Sequence, residues 1–110
     1  ITTQYIEGTP PTELTHYVTA KSALDGFSKS LAVELAPKGI RINIVSPSMT
    51  QTDLIADVPE KTKLMTKAKT PLKMLALPED IANAICFLAS DKSDYLTGET
   101  IRVNGGQMML

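Results

Sequence analysis

Leu31-Ala32-Val33-Glu34-Leu35-Ala36-Pro37-Lys38-Gly39-Ile40-Arg41-Ile42-Asn43-Ile44-Val45-Ser46-Pro47 is the stretch that decides the fold. Its first residues finish a helical pattern. Upstream, Ala20, Ala23, Leu24, Phe27, Leu31 and Leu35 recur at three- and four-residue steps, which predicts an amphipathic helix from about Tyr17 to Ala36. Pro37 and Gly39 stop it. The run from Ile40 to Val45 is β-branched and mostly apolar, as a parallel strand buried on both faces would be. Ser46-Pro47-Ser48 ends that run. Helix, stop and buried strand in direct succession form the repeating unit of an alternating α/β chain.

Working outward supports the same class. Upstream, Ile1-Thr2-Thr3 reads as the tail of a buried strand, and Gly8-Thr9-Pro10-Pro11-Thr12 as a turn-rich connection. Downstream, Thr50 to Leu77 is a long connection expected to hold a short helix around Glu60 to Ala68. Connections of that length are usually functional. Leu77-Pro78-Glu79-Asp80 opens a further helix with acids in its first turn, where they suit the macrodipole. Ile81, Ala84, Ile85, Leu88 and Ala89 form its apolar face. Thr97-Gly98 turns the chain into a last strand, Thr100-Ile101-Arg102-Val103. Gly105-Gly106 after it is a turn and no phosphate loop, because no helix follows.

Composition narrows the function classes. The chain has 110 residues, room for one modest domain, and a net charge of -1, which gives no global basic field for nucleic acid. No apolar run approaches the length of a membrane span. Cys86 is the only cysteine, sits among Ile85, Phe87 and Leu88, and is expected to be a buried, inert thiol. A reducing, cytoplasmic setting fits. His16 is the only histidine and has no companions at ligand spacing, so no metal site is expected.

Tyr17-Val18-Thr19-Ala20-Lys21 opens the long helix. Residues i and i+4 share a helix face one turn apart. A lysine ammonium there favours the ionised phenolate, so a tyrosine with an ordinary pKa of about 10 can exchange a proton nearer neutrality. The spacing alone is also common on solvated helices.

The order of signals resembles the C-terminal half of a short-chain dehydrogenase/reductase. The resemblance runs from Tyr17-x-x-x-Lys21-Ser22-Ala23 through Leu31–Ala36, Gly39–Pro47 and Thr52 to Pro78-Glu79-Asp80-Ile81-Ala82 and Leu88-Ala89-Ser90-Asp91. Thr97-Gly98-Glu99 and Val103-Asn104-Gly105-Gly106 complete it. Within the family, the later segments are most similar to beta-ketoacyl carrier-protein reductases and to sugar or polyol dehydrogenases. The resemblance implies an α/β fold, a doubly wound parallel sheet of Rossmann type, with residues 1–110 as the C-terminal part of one domain and a substrate loop at about 50–77. It implies NAD or NADP as cofactor and hydride transfer to or from a small carbonyl or alcohol substrate, possibly carrier-protein-bound. Tyr17 would donate or accept the proton. Lys21 would hold the nicotinamide ribose, and Pro47, Ser48, Thr50 and Thr52 would border the nicotinamide and pyrophosphate. A homodimer or homotetramer is implied, with the helix after Tyr17 paired across a two-fold axis.

Two positions depart from the family pattern. Counting back from Tyr17 by the family's interval puts its catalytic serine at Gln4, whereas aligning the strand puts Thr2-Thr3 on the serine pair. Thr3 would keep a hydroxyl donor and Gln4 an amide donor; strand pattern favours Thr3. Ser48 stands where the family usually has glycine, and must therefore avoid positive φ. These changes leave a non-catalytic or assembly role as the alternative. Lys61, Lys63, Lys67, Lys69 and Lys73 are read first as a solvated face, and otherwise as a dock for an acidic partner such as an acyl carrier protein. Leu64, Met65, Leu72, Met74 and Leu75 between them could line a substrate lid.

Overall fold

The computed structural model describes residues 1–110. Three α-helices and two strands follow in the order α1 (Thr15–Leu35), β1 (Ile44–Pro47), α2 (Glu60–Lys69), α3 (Pro78–Ala89) and β2 (Thr100–Val103). The strands pair in parallel, with Ile44 opposite Thr100 and Pro47 opposite Val103. Parallel neighbours require a crossover, and the segment holding α2 and α3 supplies it. α3 packs on both strands. The class is α/β with a parallel sheet, as the alternation of patterns predicts.

Sheet boundaries differ from the sequence expectation at two places. The strand starts at Ile44, and Ile40–Asn43 lies outside it. Its partner begins at Thr100, as expected, after a turn in which Gly98 takes φ 75. Side chains replace the missing ladder. Asn43 Nδ2 donates to the Leu96 carbonyl at 2.9 Å, and the Glu99 amide donates to Asn43 Oδ1 at 3.1 Å. Arg41 donates to the carbonyls of Ser93 at 2.8 Å, Leu88 at 3.1 Å and Leu96 at 3.2 Å. Those carbonyls end α3 and the turn after it, so one guanidinium satisfies several orphaned acceptors. The second difference is at Ile1–Thr3, which forms no assigned strand. The Thr2 amide nevertheless donates to the Val45 carbonyl at 2.9 Å, on the side of β1 away from its β2 ladder. A 3-10 turn, Gln4–Ile6, follows at once.

α1 begins two residues before Tyr17. The face turned inward runs through Val18, Lys21, Asp25, Ser28, Ala32 and Leu35, with Ala32 the buried member. Much of the apolar stripe lies outward: Ala20, Ala23 and Leu24 are exposed, and Phe27 is 62% exposed. In this rotation Lys21 turns inward and donates to the Ile1 carbonyl at 3.1 Å. Cys86 also corrects the sequence reading. It is exposed, because Ile81, Ala84 and Leu88 occupy the sheet-facing side of α3 and Cys86 falls on the opposite one.

The apolar core is small: Ala32, Ile44, Val45 and Leu75 are its buried members. The accessible surface is 7359 Å². A monomeric domain of this mass exposes about 5,900 Å². The radius of gyration, 15.0 Å, likewise exceeds the roughly 13 Å of a domain this long. Uncovered α1 and connection residues such as Val33, Leu54 and Leu72 supply part of the excess. No helix is long and apolar enough to cross a membrane.

The long connection is pinned at its end. Thr70 is buried, donates to the Thr66 carbonyl at 2.7 Å and accepts from Gln107 Nε2 at 2.6 Å. The Gln51 amide donates to the Ala76 carbonyl at 2.9 Å, bringing both ends of the connection together. Any lid is therefore confined to Asp53–Lys69, ahead of Thr70. There the 3-10 turn Asp53–Ile55 and α2 expose Leu54, Leu64 and Met65.

Candidate active site

The C-terminal end of β1 opens into a cleft of about 440 Å³. Ligands of parallel α/β sheets bind at this end of the strands. Its walls come from separate parts of the chain. Thr2, Thr3 and Tyr5 form one side, and Tyr17 and Lys21 of α1 another. Pro47, Ser48, Thr50 and Thr52 form the rim beyond β1, and Ile81, Ala82 and Ile85 of α3 an apolar floor. Every site residue expected from the sequence, except the alternative Gln4, lines this one space.

Helix geometry sets the Tyr17–Lys21 pair. Lys21 Nζ lies 5.8 Å from the centre of the Tyr17 ring. That is within cation–π range. One of its three donors is taken by the Ile1 carbonyl, which holds the ammonium at the cleft.

Thr3 and Gln4 have different fates. Thr3 Oγ1 caps the 3-10 turn by accepting from the Tyr5 amide at 3.4 Å, a long bond that leaves its O–H free to donate into the cleft. Gln4 is buried and turned away, with Nε2 donating to Gln107 Oε1 at 2.6 Å. It does not border the cleft. Thr2 does, and its buried hydroxyl oxygen has no partner.

Beyond β1, the Ser48 amide donates to the Val103 carbonyl at 3.1 Å and the residue avoids positive φ. A Cβ is thus accommodated where the family usually has glycine. Thr50 Oγ1 donates back to the Ser48 carbonyl at 3.0 Å, tightening the turn. No group of three or more His, Cys, Asp and Glu side chains gathers to hold a metal.

Tyr5 is the wall residue that no spacing in the sequence singles out. It is half-buried, and burial pushes its phenol pKa upward, with the neighbouring Tyr17 phenolate raising it further. The α3 floor was legible in principle from its apolar periodicity; that it faces the cleft follows only from the crossover.

Known proteins resemble this chain in sequence and in fold. Residues 1–108 match the family model described as Enoyl-(Acyl carrier protein) reductase. A 3-oxoacyl-[acyl-carrier-protein] reductase of Rickettsia felis is 43% identical over 95 residues, 86% of this chain and 39% of that protein. The crystal structure of a 3-oxoacyl-[acyl-carrier protein] reductase from Brucella melitensis ATCC 23457 superposes with a TM-score of 0.90 at 33% identity, over 98% of this chain and 41% of that one. A second Brucella melitensis reductase of that name, with bound NAD, gives 0.86 at 32% identity, over 98% of this chain and 39% of that one. The chain thus spans about two fifths of the length of the relatives it matches. The family model covers nearly all of the chain, which belongs to the short-chain dehydrogenase/reductase family.

Proposed function

We propose that residues 1–110 are the C-terminal part of a single Rossmann-like dehydrogenase/reductase domain, with the substrate loop at about 50–77. The complete protein would be a ketoreductase using NAD or NADP, acting on a 3-oxoacyl group that a carrier protein can present. The observation that carries this reading is the convergence of Thr3, Tyr17 and Lys21 on one cleft at the end of a parallel strand. The names of the similar proteins support the substrate class, and the excess of exposed surface supports a domain continued by further chain.

The residues present fit a nicotinamide cofactor. The ammonium of Lys21 keeps free donors for ribose hydroxyls, while Pro47 and the α3 floor offer apolar surface to a flat ring. Ser48, Thr50 and Thr52 give the rim backbone and hydroxyl groups suited to an amide and a pyrophosphate. When bound, the nicotinamide supplies or takes the hydride. Hydride arrival leaves negative charge on the carbonyl oxygen. Tyr17 neutralises it by giving up its phenol proton, and Thr3 orients that oxygen by hydrogen bonding. Lys21 stabilises the tyrosinate left behind. In the oxidative direction the same proton returns to Tyr17.

The test is a coupled absorbance assay of the full-length protein with NADH or NADPH and an acetoacetyl thioester. Turnover is expected, and Tyr17→Phe should lower kcat by roughly 10²- to 10⁴-fold with little change in cofactor affinity. Near-normal turnover in that variant would remove Tyr17 from the chemistry.

A further inference from the structure

Tyr5 sits in the 3-10 turn Gln4–Ile6, and the turn is tethered at its first residue and at the residue that caps its end. Gln4 bonds to Gln107, and Glu7 pairs with Arg102 of β2 at 2.5 Å. The Ile6 amide closes the turn on the Thr3 carbonyl at 3.3 Å. A turn fixed at both ends holds its middle side chain in place, and that side chain faces the cleft with Thr3, Tyr17 and Lys21. The Tyr5 hydroxyl makes no hydrogen bond within the chain, whereas the Thr3 hydroxyl oxygen and the Lys21 ammonium are each partly committed. A partly buried phenol with a free hydroxyl is a poor structural choice where phenylalanine would pack as well. It is a good choice for an oxygen that arrives with a ligand. Burial first, and the nearby Tyr17 second, raise the pKa of this phenol, which favours the protonated, donating form.

We propose that Tyr5 is a substrate-positioning residue, donating a hydrogen bond to a second carbonyl oxygen of the substrate beside the one protonated by Tyr17. The inference rests on the ketoreductase reading above, whose 3-oxoacyl substrate carries such a second carbonyl, and adds the residue that binds it. Tyr5 would favour a 3-oxo ester or thioester over a simple ketone. The second carbonyl is chemically unchanged in the reaction. Its bond to Tyr5 fixes which face of the ketone meets the hydride, a gain of orientation rather than of chemistry.

Full-length wild type and Tyr5→Phe are compared with NADPH, using ethyl 3-oxobutanoate and 2-pentanone as probes. KM is measured for each, or an inhibition constant where a probe is not turned over. Loss of one neutral hydrogen bond should raise KM for the oxo ester by roughly three- to tenfold. The constant for 2-pentanone, which has no second carbonyl, should stay unchanged, as should NADPH affinity measured by fluorescence. Equal effects on both probes, or none on either, would overturn the role of Tyr5 while leaving the ketoreductase reading intact. Wild-type protein that neither binds NADPH nor turns over the oxo ester would overturn that reading, and this inference with it.

Discussion

The side-chain amide of Gln4 donates to Oε1 of Gln107 at 2.6 Å, joining residues 103 positions apart. Gln107 passes the link to Thr70 at 2.6 Å, and Thr70 to the Thr66 carbonyl. One chain of hydrogen bonds thus ties the Gln4–Ile6 turn, the end of the long connection and the segment after β2. Gln107→Leu should leave the buried Gln4 amide and Thr70 hydroxyl short of a partner. The expected cost is about 1–3 kcal/mol. Urea unfolding of the full-length protein checks it, and a loss below a few tenths would mean that water replaces the link.

The same network marks where sequence reading succeeds and where it stops. Tyr17 and Lys21 were legible because a helix fixes the relation of i and i+4 whatever surrounds it. β2 and α3 were legible from period and punctuation. Thr3 and Gln4 could not be separated by counting, since loop length does not say which way a side chain points; here Gln107 holds the Gln4 side chain away from the cleft. The rotation of α1 could not be read for a related reason. Hydrophobic periodicity finds an apolar stripe but does not say what covers it, and here Phe27 and Leu24 face outward. The true start of β1 depends on where its partner begins, a tertiary fact.

Tyr5 predicts a specific alkaline behaviour. Its pKa is raised in the fold, by burial first and by Tyr17 second. In an unfolded chain a tyrosine ionises near pH 10. The unfolded state therefore loses this proton first as pH rises, and binds fewer protons than the native state. Stability then falls with pH. The contribution is intact below about pH 10 and lost as pH climbs towards the folded value. Urea unfolding at pH 9 and 11 should show a steeper alkaline loss for wild type than for Tyr5→Phe. Identical slopes would place Tyr5 in a water-like setting.

The outward stripe of α1 predicts self-association. Ala20, Ala23, Leu24 and Phe27 lie on one exposed face, and the small residues permit close helix approach. Phe27→Glu should shift the full-length protein from dimer or tetramer to smaller species in sedimentation velocity. A wild-type monomer independent of concentration would show that this face is covered within the subunit.

The last prediction concerns these 110 residues on their own. Only two strands pair, and β1 receives a single further bond from Thr2. A parallel sheet is stable when both faces and its neighbours are covered. The accessible surface, 7359 Å², stands well above the approximately 5,900 Å² expected for the mass, and Phe27, Val33 and Leu72 are among the apolar groups left outside. Such a surface favours association over a defined fold. The cleft also offers a dinucleotide only one part of its contacts. The six glycines fall at positions 8, 26, 39, 98, 105 and 106, none in a glycine-rich turn that opens a helix. Pyrophosphate binding needs that turn. The isolated chain should therefore show no saturable binding of NADH or NADPH in the micromolar range and no carbonyl reduction. Fluorescence titration of the purified 110-residue chain is decisive, because micromolar saturation with turnover would mean that the walls described here suffice for the whole reaction.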